Sequence, residues 1–157
     1  MSKWLALLAV VTWICLGIAS PQAQTVDAAA TKLAQLLKQT GLSYTTHNAK
    51  TWSVTFERTH LGKVKVITSV DQDIVVTFAI LATKANIRQS SELMRNLLAL
   101  NHEYDYAKIG FDKDGDLFVR IDSPTRLIDS AQLKYINEQV ANTSEEVFSK
   151  NAAFLKR

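Results

Sequence analysis

Apolar residues recur along this chain at two different spacings, and the change of spacing marks its elements. Between Val26 and Leu37 they recur every three or four residues, and Gly41 follows as a suitable end for a helix. From Trp52 to Phe56 they alternate with polar residues, the pattern of a half-buried strand. The first part of the chain therefore predicts a helix followed by a strand.

Two further strands are predicted next, separated by short turns. Gly62 marks the first turn, and apolar and polar residues then alternate up to Val70. Residues 71–73 turn the chain again. Ile74–Ala82 is apolar at nearly every position and rich in β-branched residues, as expected of a central strand. Three strands joined in this way predict an antiparallel meander.

The rest of the chain predicts a helix, a hairpin and a final helix. Ser90 or Ser91 is a suitable N-cap for the middle helix, and strands are expected at residues 106–111 and 117–121. After Pro124, apolar residues recur again at helical spacing: Leu133, Ile136, Val140, Val147 and Phe154. The predicted order is α-β-β-β-α-β-β-α, an α+β fold with helices packed on a five-stranded antiparallel sheet.

The middle helix carries more apolar surface than a single contact requires. Its apolar residues between Leu93 and Leu100 cover an arc of roughly 160°, wider than a helix lying on one sheet needs. Met94 and Leu98 form the surplus edge of this arc. They are expected either to complete the core or to face a second subunit.

The predicted sheet also has apolar residues on both faces. One face is expected to pack on the helices through Val54, Phe56, Val64, Val66, Phe78 and Ile80. The opposite face then carries Ile67, Val75, Leu81, Tyr106 and Phe118. Either a helix covers this second set, or it is a contact surface. We expect a homodimer or peptide-binding face centred on Leu81 and Phe118, with Tyr106, Val75, Met94 and Leu98 as further partner-binding residues.

The N-terminal segment has the pattern of a secretory signal peptide. Lys3 precedes an apolar run from Trp4 to Ile18, and small and polar residues follow. The run is shorter than the roughly 20 apolar residues of a spanning helix. We expect cleavage after Ala23, with an uncleaved anchor as the alternative. The prediction is a signal peptide at residues 1–23 and one domain at residues 24–157, placed in a bacterial periplasm.

The charge of the chain is mild, and one basic cluster is present. Removing residues 1–23 would take away Lys3 and no acidic residue, lowering the net charge from +3 to +2, too little to predict nucleic-acid binding. Arg58, His60, Lys63 and Lys65 cluster around one predicted turn. We expect a solvated hairpin tip. The alternative is an anion-binding site for lipid or other acidic material at Arg58, Lys63 and Lys65.

No residue pattern in the chain indicates catalysis or a metal. The single cysteine, Cys15, falls in the predicted signal peptide, and the three histidines have no metal-ligand spacing. The acidic segment at residues 112–116 has its glycine in the fourth place, whereas a calcium loop needs it in the sixth. A hairpin turn is expected there, with a weak cation site as the alternative. The prediction is a protein without enzymatic activity, cofactor or metal.

Three segments carry a resemblance to a known family. The segments LLALN (97–101), YAKIGFD (106–112) and DGDL (114–117) resemble the YbjN family, described as sensory-transduction regulators. The resemblance implies the Tir-chaperone-like fold of type III secretion chaperones, whose members bind extended peptide segments and often form homodimers. Those chaperones are cytoplasmic and acidic, whereas this chain is basic and predicted to be exported. We therefore expect a periplasmic binding or chaperone-like module rather than a secretion chaperone.

Overall fold

The computed structural model describes residues 21–156, with side chains from residue 28 onward. Its helices are α1 (Pro21–Gln39), α2 (Ser91–Glu103) and α3 (Ser130–Lys150). Its strands are β1 (Tyr44–Asn48), β2 (Thr51–Arg58), β3 (Gly62–Asp71), β4 (Ile74–Ala82), β5 (Lys108–Phe111) and β6 (Leu117–Pro124). Most of the predicted signal peptide, including Cys15, lies outside the described residues. No described helix is both long enough and apolar enough to span a membrane.

The six strands form one antiparallel sheet in the order β1-β2-β3-β4-β6-β5. The α+β class with helices on an antiparallel sheet is confirmed, but the expected number of five strands is wrong. The additional strand is β1, with the sequence YTTHN, which is exposed along most of its length. Because an edge strand buries little side chain, β1 has no apolar alternation that could reveal it. A second correction concerns β5, which begins at Lys108 rather than Tyr106.

Helix α3 holds the core together. It packs across β2, β3, β4 and β6, while α1 packs against α3 and β3, and α2 packs against β5. Buried apolar residues of α3 pack against the alternate strand residues that face the helix. On the helix these include Leu133, Ile136, Val140 and Val147. A polar group lies within this core, because the Thr68 hydroxyl is 3.3 Å from both Asn137 Oδ1 and the Thr77 hydroxyl.

The register of β4 decides which of its residues face the helices. Only residues 72–73 lie between the paired ends of β3 and β4. Val75 and Leu81 consequently point to the helices and are 1% and 9% exposed, whereas Phe78 and Ile80 lie on the opposite face. The expected facing of β4 was therefore inverted, and Val75 and Leu81 are core residues rather than contact residues.

The outer edge of β5 is occupied by a side chain from α2. Asn101 Nδ2 donates to the Ile109 carbonyl at 2.7 Å, and Asn101 Oδ1 accepts from the Ile109 N–H at 2.8 Å. The side chain thus takes both backbone groups that a further strand would need at this position. Strand addition at Ile109 is blocked as long as α2 stays in place.

Candidate functional site

The face of the sheet turned away from α3 carries an apolar strip, formed by Ile67, Val76, Phe78, Ile80 and Phe118. Two cross-strand pairs build it, because Ile67 lies opposite Phe78 and Ile80 lies opposite Phe118. None of the five side chains is fully buried, and Ile80 is 41% exposed. Bulky apolar residues on an uncovered sheet face are typical of a contact surface.

A shallow depression of about 170 Å³ lies within the strip, lined by Val76, Phe78, Ile80, Phe118, Asp112 and Arg120. Gly110 on β5 lies opposite Phe118 on β6. A Cβ placed on Gly110 would lie 3.4 Å from the Phe118 ring, so the ring rests over the glycine backbone. A Cβ at position 110 would therefore make an ordinary van der Waals contact with the ring.

Three charged side chains lie beside the strip at its β5–β6 end. Asp122 accepts from Arg120 Nε at 2.5 Å and from Lys108 Nζ at 2.9 Å. Burial raises the pKa of the Asp122 carboxyl, but the hydrogen bonds and charges of Arg120 and Lys108 outweigh burial and lower that pKa overall. Asp122 is thus held as a carboxylate that two cations share.

The predicted partner-binding residues do not form a single surface. Phe118 lies on the open face as expected, but Val75 and Leu81 do not. Tyr106 is 75% exposed and lines a separate groove of about 270 Å³ next to Tyr104 and Tyr135.

The two residues of the surplus edge of α2, Met94 and Leu98, differ in exposure. Leu98 is 70% exposed, so it does not complete the core, and Met94 is half-buried beside it. Both lie on α2, which packs on β5 and not on the open face of the sheet. Neither residue therefore contributes to the apolar strip.

The predicted anion-binding residues are also separated. Arg58 donates to Asn142 Oδ1 at 2.8 Å and lies 5.2 Å from the Phe56 ring centroid, so it is fixed on the helix side of β2. Lys63 and Lys65 lie on the open face, where Lys63 is 3.9 Å from Glu57. Because Arg58 is on the other side of the sheet, the three side chains form no common anion site.

The turn between β2 and β3 is fixed to α3 by one carboxylate. Glu145 Oε1 accepts from the His60 N–H at 2.6 Å and lies 2.8 Å from His60 Nδ1, and Oε2 accepts from the Leu61 N–H at 2.9 Å. Burial raises the pKa of Glu145, but these hydrogen bonds outweigh it and lower the pKa overall. Ionised Glu145 therefore stabilises the folded state.

Replacing Glu145 by Gln is expected to lower the melting temperature by about 4 °C at pH 7, because one of two acceptor oxygens becomes a donor. Because the pKa of Glu145 is lowered in the folded state, its carboxylate stabilises the protein above the ordinary Glu pKa of about 4.3. This stabilisation is lost as the pH falls. The difference between parent and variant should therefore narrow below that pH. Thermal melts from pH 7 to pH 3 measure it, and a difference that is constant with pH would contradict this role.

The acidic segment after β5 forms a hairpin turn. Asp112 Oδ1 accepts from the N–H groups of Asp114 and Asp116, both at 2.9 Å, and Gly115 has a φ of +87°. The aspartate side chain and the glycine thus serve the backbone of the turn, as expected. Within residues 21–156, no group of three or more His, Cys, Asp or Glu side chains is placed to hold a metal ion.

Five side chains of this surface were not predicted from the sequence: Val76, Phe78 and Ile80 of the strip, and Lys108 and Arg120 beside it. A signal for the three β4 residues was present, because Lys63 and Lys65 place the odd-numbered residues of β3 on the solvent face. A two-residue turn then puts the even-numbered residues of β4 on that same face.

Comparison with known proteins gives matches in family and in fold. Residues 29–150 match the model of the YbjN family, described as "Putative bacterial sensory transduction regulator". No curated protein sequence gives a significant match.

Solved structures share the fold at low sequence identity. A chain of the HopA1-SchA chaperone-effector complex is 16% identical with a TM-score of 0.57, over 79% of this chain and 98% of that one. YbjN from E. coli, described as a putative transcription regulator, is 17% identical with a TM-score of 0.56, over 81% and 94%. A chain in the structure of the Yersinia pestis type III secretion chaperone SycH with a fragment of YscM2 is 14% identical with a TM-score of 0.55. The match covers 76% of this chain and 98% of that one.

Proposed function

Since this chain belongs to the YbjN family, we propose that it is a non-catalytic, chaperone-like module that binds a protein or peptide partner. The binding surface in this proposal is the apolar strip on the open face of the sheet. The observation that carries the proposal is the 41% exposure of Ile80 and the partial exposure of Phe78 and Phe118 on a face that no described element covers. Burying such side chains against a partner is favourable by roughly 25 cal/mol per Å² of apolar surface.

Two proteins with this fold support the choice of partner. The structures of the HopA1-SchA complex and of SycH with a YscM2 fragment each contain a chaperone together with a protein. By analogy of fold, a protein segment is the class of ligand that we propose for this chain. A lipid ligand has less support, because Arg58 is committed to Asn142 on the other side of the sheet.

The proposal includes export to the periplasm and a homodimer as one form of the protein. Export rests on the signal-peptide pattern of residues 1–23. Cell fractionation with N-terminal sequencing tests it, and an intact N-terminus in the cytoplasm would reject it.

The homodimer would use the apolar strip of two copies. Sedimentation of the mature protein tests it, and a monomer at every concentration would reject the dimer.

Substituting Asp for Phe118 is expected to weaken peptide binding at least tenfold, because a carboxylate replaces an aromatic ring that lines the depression. Peptides selected from a random displayed library provide the probe, and fluorescence anisotropy gives their affinity. Leu98→Asp is the matched control, since Leu98 is 70% exposed on α2, away from the strip, and the substitution also replaces an apolar side chain with a carboxylate. Equal losses in the two variants, or no enrichment of any peptide by the parent protein, would reject the binding face.

A further inference from the structure

We propose that the partner segment of the apolar strip is acidic. In this proposal an extended segment places one bulky apolar side chain in the depression, and carboxylates at alternate positions on either side reach Lys65 and Arg120. The inference rests on the proposed function, because it specifies the partner of the same surface.

The size of the depression favours a single side chain as its occupant. Its volume is about 170 Å³, and it opens directly to solvent between Phe78, Ile80 and Phe118. Sites for small-molecule ligands are typically enclosed and about 300–1,000 Å³ in volume. A polypeptide that rests on the open face and inserts one apolar residue fits this shape better.

The β6 side of the strip offers a site for a carboxylate. Arg120 donates to Asp122 through Nε, and no hydrogen bond from its two terminal nitrogens to the described residues is present. Its side chain is 42% exposed, so these terminal nitrogens can be reached from solvent. Arg120 and Lys108 share the carboxylate of Asp122, and the other carboxylate that lines the depression, Asp112, accepts from the turn backbone through Oδ1. The planar guanidinium of Arg120, with its terminal nitrogens free of such bonds, suits a carboxylate ligand.

The β3 side of the strip offers a second positive charge. Lys65 is exposed on the open face and has no hydrogen bond or ion pair with the described residues, whereas the adjacent Lys63 lies near Glu57. The acidic residue farther along β3, Asp71, is six positions away, or about 20 Å at the rise of a strand. Lys65 is therefore available to a carboxylate from a partner.

The spacing of the two charges sets the pattern of the partner. Lys65 lies on β3, Arg120 on β6 and Lys108 on β5, so the charges are two to three strands apart, about 10–14 Å. In an extended segment, residues i and i+4 point to one side and lie about 14 Å apart, with residue i+2 between them on that side. The pattern acidic-x-apolar-x-acidic therefore matches the order Lys65, depression, Arg120.

Two displayed peptide libraries test the charge of the partner. Both keep the same random apolar centre, and fixed Glu residues flank it in one library while fixed Lys residues flank it in the other. The expected result is enrichment from the Glu library, with at least fivefold weaker anisotropy-measured binding of the same peptides after Glu→Lys exchange. Binding is also expected to weaken with added NaCl, because exposed ion pairs are screened.

Charge reversal on the protein is the second half of the test. Lys65→Glu is expected to weaken binding of the acidic peptides at least fivefold and to improve binding of the Lys-flanked versions. Lys134→Glu is the matched control, because Lys134 is exposed on α3 on the other side of the sheet. Equal effects of the two variants, or equal binding of both peptide sets, would overturn the charge selection and leave the apolar binding face standing. Failure of both libraries, with Lys65-dependent binding to phosphatidylserine vesicles instead, would overturn both proposals.

Discussion

Leu133→Ala is expected to lower the free energy of unfolding by about 3 kcal/mol, the usual cost of emptying a large buried site. Leu133 is 0% exposed on α3, the helix that contacts β2, β3, β4 and β6. Its removal leaves a cavity between helix and sheet, where neighbours on several elements hold one another in place and cannot simply collapse into the space. For a domain of this size, the melting temperature should fall by roughly 10 °C.

The neighbouring position provides the control for this substitution. Lys134 is exposed, so Lys134→Ala should change the free energy of unfolding by no more than about 0.5 kcal/mol. Urea denaturation of both variants, followed by circular dichroism, measures the two values. A loss below about 1 kcal/mol for Leu133→Ala would mean that α3 does not hold the core together as described.

Asn101→Ala is expected to cost about 2 kcal/mol and to promote self-association, because it leaves two backbone groups of β5 without partners. Asn101 bonds both the N–H and the carbonyl of Ile109, a residue that is 7% exposed. Once these groups are released, the outer edge of β5 becomes a template for pairing with another chain. Loss of stability and formation of oligomers should therefore appear together.

Two controls separate the edge from the helix that carries Asn101. His102→Ala changes the adjacent exposed residue of α2 and should leave both stability and oligomeric state close to the parent. Asn101→Asp keeps an acceptor for the Ile109 N–H but places an oxygen against the Ile109 carbonyl, so it should be destabilising as well. Light scattering with denaturant melts reads out both effects. An Asn101→Ala protein with the stability and oligomeric state of the parent would contradict the protection of this edge.

The sequence predicted the elements that bury an apolar stripe and missed the one that does not. The helices and five strands follow from apolar periodicity, and the Ser90 N-cap is confirmed by its hydrogen bond from the Leu93 N–H. Strand β1 has no such periodicity, because an edge strand needs only its backbone to pair with β2. Its existence depends on a neighbour that already presents free backbone groups, which local sequence does not encode.

The residues expected on the open face were assigned correctly in β6, where Phe118 lies on that face, and incorrectly in β4, where Val75 and Leu81 face the helices. Phe118 alternates with Leu117 and Val119, which are fully buried, so its facing is clear. Strand β4 is apolar on both faces, and a shift of one residue exchanges Phe78 and Ile80 for residues of the core. The length of the β3–β4 turn decides between the two registers. Counting three turn residues instead of two produced the inverted assignment.

The pairing of β4 with β6 joins the two halves of the chain into one folding unit. These neighbours in the middle of the sheet are separated in sequence by residues 83–116, which include α2 and β5. A cut anywhere in that interval would leave β1 to β4 on one fragment and α3, which covers them, on the other. Neither fragment would possess a complete apolar interior. We therefore expect unfolding to be a single cooperative event, in which the open face and the helical layer are lost together.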